Sequence, residues 1–158
     1  MLVENNGKRR TVLSRLKNEM EQLSIPSTLV RKGEENSPFD ILVCTHTKVE
    51  GAPDGTVTGQ YFFPEVEAAE NVCYFTCMMT IKQGLTEDEK RSISSKMEEI
   101  NLSLVCGQFA IYPEIGLVYK LCFPISEELV EEDLFDTVDI AAAHAFALTG
   151  TYVPELLA

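Results

Sequence analysis

The sequence predicts a single α+β domain over residues 1–158, with a mainly antiparallel sheet and its helices packed largely on one face. Three observations predict it. Stretches of alternating apolar residues indicate strands, an amphipathic pattern near each end of the chain indicates helices, and a further helix begins at Thr86 between two groups of strands. The predicted element order is α-β-β-β-α-β-β-α, which is typical of one antiparallel sheet with helices packed against it.

The first half of the chain predicts one helix followed by strands. An apolar stripe within residues 8–23 is typical of a helix, which ends near Pro26. Residues 28–30 favour a short edge strand. Residues 39–48 favour a central strand, because the middle of this segment is apolar on both faces. The Asp54-Gly55 turn then leads into an alternating strand over 57–63.

The second half of the chain gives clearer signals of secondary structure. Residues 71–82 alternate, with one continuous apolar face that includes Phe75 and Met79, and are predicted as a strand. Thr86 and Glu89 have the spacing of a capping box, so a helix is expected after Thr86. A hairpin is predicted with strands at 108–112 and 117–123, joined by the turn at 113–116.

The last helix is predicted to follow the hairpin closely. Pro124 is expected to close the sheet and Ser126 to cap the helix, whose acidic first turns suit the helix dipole. Gly150 is the expected end of this helix, and 152–158 are expected to form a short tail.

Charge and cysteine usage narrow the class of protein. The net charge of −12 disfavours nucleic acid and anionic membranes as partners, and no apolar run is long enough to span a membrane. The absence of a signal-like N-terminus predicts a cytoplasmic protein. The five cysteines lie in apolar runs and are expected to be reduced core residues: Cys44, Cys73, Cys77, Cys106 and Cys122.

The charge is unevenly distributed along the chain. Residues 1–32 hold seven basic and three acidic side chains, whereas the remainder holds six basic and 22 acidic ones. A solvated helix face is the preferred interpretation of the basic segment. Docking of this segment onto the acidic body, or onto that of a second subunit, is the alternative.

Catalytic and metal-binding signatures are missing from the sequence. No phosphate-binding glycine loop, zinc motif or calcium loop occurs, and no local motif places His46 or His144 beside a nucleophile. Cys73 and Cys77 would stand about 13 Å apart along a strand, too far to share one zinc ion. The acids of 127–139 would splay outward from a helix rather than converge on a cation. No catalytic, cofactor-binding or metal-binding residue is therefore predicted.

The strongest candidate for a contact surface is the sheet face opposite the helices. If the helices cover Phe75 and Met79, the reverse face mixes aromatic, methionine and polar side chains, which is typical of interfaces. Half-shielding of this face by loops is the alternative. The predicted partner-binding residues are Phe62, Tyr74, Thr76, Met78, Tyr112 and Val118.

The segment from Met97 to Leu102, the strand 107–111 and the strand 116–120 resemble the corresponding part of the YbjN-like family, proposed sensory transduction regulators with a type III secretion chaperone-like fold. The resemblance covers residues 71–148. It implies a small acidic cytoplasmic protein, often a homodimer, that binds an extended segment of another protein, and it brings no catalytic residues.

The predicted function is a non-enzymatic, chaperone-like or regulatory protein-binding module. Its predicted partners are a second copy of itself and a basic or amphipathic protein segment. The alternative is an enzyme or small-ligand-binding protein, which a deep cavity gathering His46, His144 or several carboxylates would favour.

Overall fold

The computed structural model describes residues 2–66 and 70–158, with side chains from residue 5 onward. Within these residues the chain forms three α-helices, namely Leu2–Gln22 (α1), Glu87–Ser103 (α2) and Glu131–Leu156 (α3). It also forms six strands, namely Ser27–Val30 (β1), Ile41–His46 (β2), Val57–Phe62 (β3), Val72–Lys82 (β4), Gln108–Tyr112 (β5) and Gly116–Ser126 (β6).

The strands form one antiparallel sheet in the order β1-β2-β3-β4-β6-β5. This arrangement confirms the predicted α+β fold with an antiparallel sheet. The predicted order counted three strands before α2, and the structure has four, because residues 27–30 pair along their whole length with β2. The segment 28–30 is thus an edge strand, as predicted.

All three helices lie on one side of the sheet. The α1 helix packs on β1 and β2, α3 crosses β4 and β6, and α2 lies over β5, with α3 between the other two helices. The strand faces beneath them carry the core: Phe75 and Met79 are fully buried, and Phe109 is 1% exposed. Burial of each such side chain contributes about 1.5–3 kcal/mol, which fixes the face that each strand turns inward.

Pro124 does not close the sheet, contrary to the prediction. Strand β6 continues to Ser126, and Pro124 lies opposite Tyr74 of β4. Beyond Lys120, β6 has no partner residue in β5, so Pro124 lies on a stretch that is paired along one side only. Proline is tolerated at such an edge because its missing amide breaks no bond of a second ladder.

Both predicted ends of the last helix are also wrong. The helix begins after Val130, and the Ser126 hydroxyl accepts a hydrogen bond from the Glu128 amide in the turn before it. Gly150 lies inside α3, which continues to Leu156. The predicted tail is helical because Val153 and Leu156 are 0% and 1% exposed, and their burial outweighs the weak helix propensity of glycine.

The basic N-terminal helix docks onto its own acidic body. Arg9 forms an ion pair with Glu127, the Lys8 ammonium donates to the Leu129 carbonyl at 2.8 Å, and Arg15 pairs with Glu132 at 2.8 Å. The preferred interpretation of a solvated helix face is therefore wrong for these three side chains. The partly buried Arg9–Glu127 pair contributes about 0.2–1 kcal/mol, and the three contacts together orient α1 over the junction between β6 and α3.

Candidate functional site

The candidate site is the sheet face opposite the helices, called here the open face. Period-two alternation sends every second side chain of each strand to this side. The strand register aligns them in rows: Ile41, Phe62, Thr76 and Cys122 lie side by side across four strands, and Val43, Gln60, Met78 and Lys120 form the next row.

The open face carries no carboxylate on any of the described strands. Its outward positions are apolar, aromatic, hydroxyl, thiol or amide side chains, and its charged member is Lys120. The register shift before Lys82 turns that side chain to the helix side, where it pairs with Glu89 of α2. The whole chain holds 25 Asp and Glu residues against 13 Lys and Arg. The acids are thus concentrated on the helices and loops, and the open face is a nearly neutral, slightly basic surface on a strongly acidic protein.

The predicted partner-binding residues all lie on the open face, but they are unequally accessible. Phe62, Tyr74, Met78 and Tyr112 are half-buried among their neighbours and still present surface to solvent. Thr76 and Val118 are 2% and 0% exposed. These two side chains therefore pack beneath the accessible surface of the open face. Their prediction as contact residues is wrong.

Among the members of this face that sequence reasoning missed are Ile41 and Val43 of β2, which are half-buried and lie beside Phe62 and Gln60. Their signal was the apolar character of this strand on both of its sides. The segment before β2 shields one part of the face, where the Phe39 ring stacks on the Phe62 ring with centroids 5.0 Å apart.

The five cysteines differ in burial more than predicted. Cys44, Cys73 and Cys77 are buried core residues, as expected. Cys122 is exposed on the open face and Cys106 is half-buried, so the expectation of a core position is wrong for both. Alternation along β6 turns Cys122 outward, while Cys106 lies in the connection between α2 and β5.

Strand β5 forms an edge of the sheet, and the side chain of Asn101 covers it. The Asn101 amide donates to the Phe109 carbonyl at 2.9 Å, and its oxygen accepts from the Phe109 amide at 2.8 Å. One asparagine thereby replaces both hydrogen bonds that a further strand would make at this residue. Such a cover blunts an edge against strand addition, so the open face is the better candidate for protein contact.

Substitution of Asn101 by alanine is expected to destabilise the fold by roughly 2 kcal/mol, because the amide and the carbonyl of Phe109 both lose their partner. Urea denaturation followed by circular dichroism measures the change. The control is Asn18→Ala, at an exposed position of α1, which is expected to stay within about 0.5 kcal/mol of the parent protein. Equal stability of the two variants would show that Asn101 does not hold the edge.

The two histidines occupy separate environments. His46 is buried on the helix side of β2, where Nε2 lies 3.0 Å from the Tyr61 hydroxyl and the ring stacks on Phe146 at 4.5 Å. His144 lies on α3 with Nε2 3.1 Å from Cys106 Sγ. They therefore share no site. The sequence offered no signal for the Cys106–His144 pair, since 38 residues separate its members.

A cavity of about 80 Å³ lies between α1, the segment before β2 and the end of β3. Neither histidine lines it, and its charged groups are all paired: Arg10 with Asp40, Lys32 with Glu65, and Arg9 with Glu127 outside the cavity. Over the described ranges, no cluster of three or more His, Cys, Asp or Glu side chains is placed to hold a metal ion. Likewise, none of the described helices is long and apolar enough to cross a membrane.

Comparison with known proteins gives a distant likeness among solved structures. No family model matches the chain, and no curated protein matches it. Among solved structures, the chain is similar to the crystal structure of YbjN from E. coli, described as a proposed transcription regulator. The two share 10% sequence identity over 90% of this chain and 89% of that chain, with a TM-score of 0.45. YbjN gives its name to the family that residues 71–148 resemble.

Proposed function

We propose that this protein is a non-enzymatic protein-binding module of the cytoplasm, a chaperone-like or regulatory adaptor that self-associates through its open face. The observation that carries the proposal is an open sheet face without a carboxylate in a chain of net charge −12. Five free thiols fit the reducing compartment.

Charge favours a second copy as the occupant of this face. Contact between the helix-side surfaces of two copies would bring many carboxylates together, and like charges oppose such an approach. The open face brings no carboxylates together, since its one charged side chain on the described strands is Lys120 in the middle row. Aromatic residues and methionine, which are enriched in interfaces, supply its apolar surface through Phe62, Tyr74 and Met78.

The size of the face is close to what a stable dimer needs. Six strands about 4.8 Å apart, with about seven residues each at ~3.3 Å per residue, project to roughly 700 Å². Stable interfaces bury about 800 Å² on each partner. Side chains that stand out from the sheet add surface to the projected area, so a face-to-face dimer reaches the usual range.

A basic or amphipathic segment would need another surface. Its positive charges find no carboxylate on the open face, whereas acids lie on the outer sides of α2 and α3, among them Glu98, Glu99 and Asp136. In this proposal the open face joins two copies, and the helix side of the dimer attracts a basic partner.

The variant Met78→Glu tests self-association. Met78 lies opposite Lys120, so a glutamate there gains a cross-strand partner within its own sheet and folding is preserved, whereas a lysine would face a like charge. In a face-to-face dimer the new carboxylate is buried in each copy, and the dissociation constant is expected to rise at least about 100-fold. Light scattering coupled to size exclusion, over a range of concentrations, gives the mass.

The matched control is Ser95→Glu, which adds the same charge at an exposed position of α2 and should leave the mass unchanged. Circular dichroism should be the same for both variants and the parent protein. A parent protein that remains monomeric at about 100 µM, or a Met78→Glu variant that stays dimeric, would overturn the proposal.

A further inference from the structure

The pair formed by Cys106 and His144 is a nucleophile beside a base that the proposed binding function does not use. Cys106 Sγ and His144 Nε2 lie 3.1 Å apart, within hydrogen-bonding distance for sulfur. Both side chains are half-buried, so solvent reaches them. The core thiols Cys44, Cys73 and Cys77 are shut away from solvent by comparison.

The backbone holds the thiol in place. The Tyr119 hydroxyl donates to the Cys106 carbonyl at 3.1 Å. The next residue, Gly107, has φ +70°, and a Cβ there would lie 2.2 Å from the Tyr119 hydroxyl oxygen. Only glycine permits this close approach without displacing the tyrosine, and the fully buried Tyr119 in turn fixes Cys106.

The base, His144, is held in place by its helix. His144 lies in the middle of α3, between Ala141 and Ala145, which are 6% and 0% exposed and anchor that turn of the helix against the core. The segment that carries the thiol is on the surface, since Leu102 and Val105 are 86% and 96% exposed. A small reagent can thus approach a thiol whose proton acceptor is already in position.

We propose that Cys106 is a site of reversible oxidation by hydroperoxides and that His144 activates it. The imidazole Nε2 accepts the thiol proton as sulfur attacks the terminal oxygen of the peroxide. The S–O bond forms and the O–O bond breaks. The leaving alkoxide or hydroxide takes the proton from the imidazolium, so that Cys–SH and ROOH become Cys–SOH and ROH. Sulfur loses two electrons and the peroxide gains them, and a thiol reductant reverses the modification.

The test uses the reduced protein, residues 1–158, and dilute hydrogen peroxide. Sulfenic acid is trapped with dimedone, and peptide mass spectrometry follows each cysteine separately. Glutathione is the external standard, because Cys122 lies on the face proposed for self-association. Cys106 is expected to react at least about 10-fold faster than glutathione, and at least about 10-fold faster than Cys106 in the His144→Gln variant.

The matched control is His46→Gln, which removes the other histidine and should leave the Cys106 rate unchanged. Circular dichroism checks the fold of both variants. A Cys106 rate equal to that of glutathione would overturn the proposal, and so would a rate that His144→Gln does not change. If His144→Gln fails to fold, the comparison of the parent protein with glutathione still decides.

Discussion

Replacement of Gly116 by alanine is expected to destabilise the fold by roughly 3–5 kcal/mol. Gly116 opens β6 with φ +110°, a backbone conformation that side chains rarely adopt. A Cβ at this position would lie 2.1 Å from the Lys82 carbonyl oxygen. The obstacle is backbone at the end of the central strand β4, so no side-chain rotation relieves the overlap.

The strand register explains why β4 and β6 approach each other so closely at Gly116. The pairing of β4 with β6 shifts between Thr80 and Lys82, and this irregularity places Lys82 opposite Leu117, next to Gly116. Alanine at 116 would push the two strands apart at the start of the longest ladder in the described sheet. The hairpin of β5 and β6, which carries Cys106 at its entrance, would be displaced with them.

Urea denaturation of Gly116→Ala, followed by circular dichroism, measures the loss. The matched control is Gly150→Ala. Gly150 lies inside α3, and a Cβ there meets nothing within 4 Å, so alanine should stabilise the protein by about 0.5–1 kcal/mol. The same substitution, glycine to alanine, is thus expected to destabilise the protein at position 116 and to stabilise it at position 150. If both variants were as stable as the parent, the close contact at Gly116 would be disproved.

Acidification is expected to remove roughly 3 kcal/mol of stability through the single side chain His46. His46 is 2% exposed, and burial lowers its pKa from the ordinary 6.5 to about 4. Its Nδ1 has no hydrogen-bond partner among the described residues, so a proton there would add a charge without an acceptor.

The direction of the pH dependence of stability follows from the pKa of His46 in the unfolded and in the folded state. Above pH 6.5 the imidazole is neutral in both states, and the stabilising contribution is complete. Between pH 6.5 and about 4 His46 is protonated in the unfolded chain and stays neutral in the folded protein, so stability falls with falling pH. Below about pH 4 the folded protein also takes up the proton, and this contribution no longer changes.

Urea denaturation at half-unit steps from pH 8 to pH 4 tests this dependence in the parent protein and in His46→Gln. Glutamine keeps a polar group near the Tyr61 hydroxyl but does not titrate. The variant should be less stable at pH 8, because the packing against Phe146 changes, and the gap should shrink by roughly 3 kcal/mol as the pH falls. A constant gap across the range would contradict a buried neutral His46.

Local patterns predicted much of the fold correctly. The capping box at the start of α2 is confirmed, since the Glu89 amide donates to the Thr86 hydroxyl at 3.2 Å and the Thr86 amide donates to the Glu89 carboxylate at 2.8 Å. The alternation of residues 71–82 correctly placed Phe75 and Met79 toward the helices. Both signals are contained within a few residues of sequence, and neighbouring elements do not change them.

The errors occurred where distant contacts outweigh local propensity. Pro124 and Gly150 are strong local breakers, yet pairing with β4 carries the strand past the proline, and burial of Val153 and Leu156 carries the helix past the glycine. The deep burial of Thr76 and Val118 within the open face depends in the same way on which strands adjoin theirs, which no single strand reveals.

The sequence by itself determined the α+β class, the inward and outward sides of the strands and the acidic character of the chain, because these follow from periodicity and composition. The tertiary structure alone decided that α3 lies between the other two helices, that the basic α1 binds its own acidic body and that Cys106 meets His144. Each of these depends on contacts between residues dozens of positions apart, which the packing of the whole core selects.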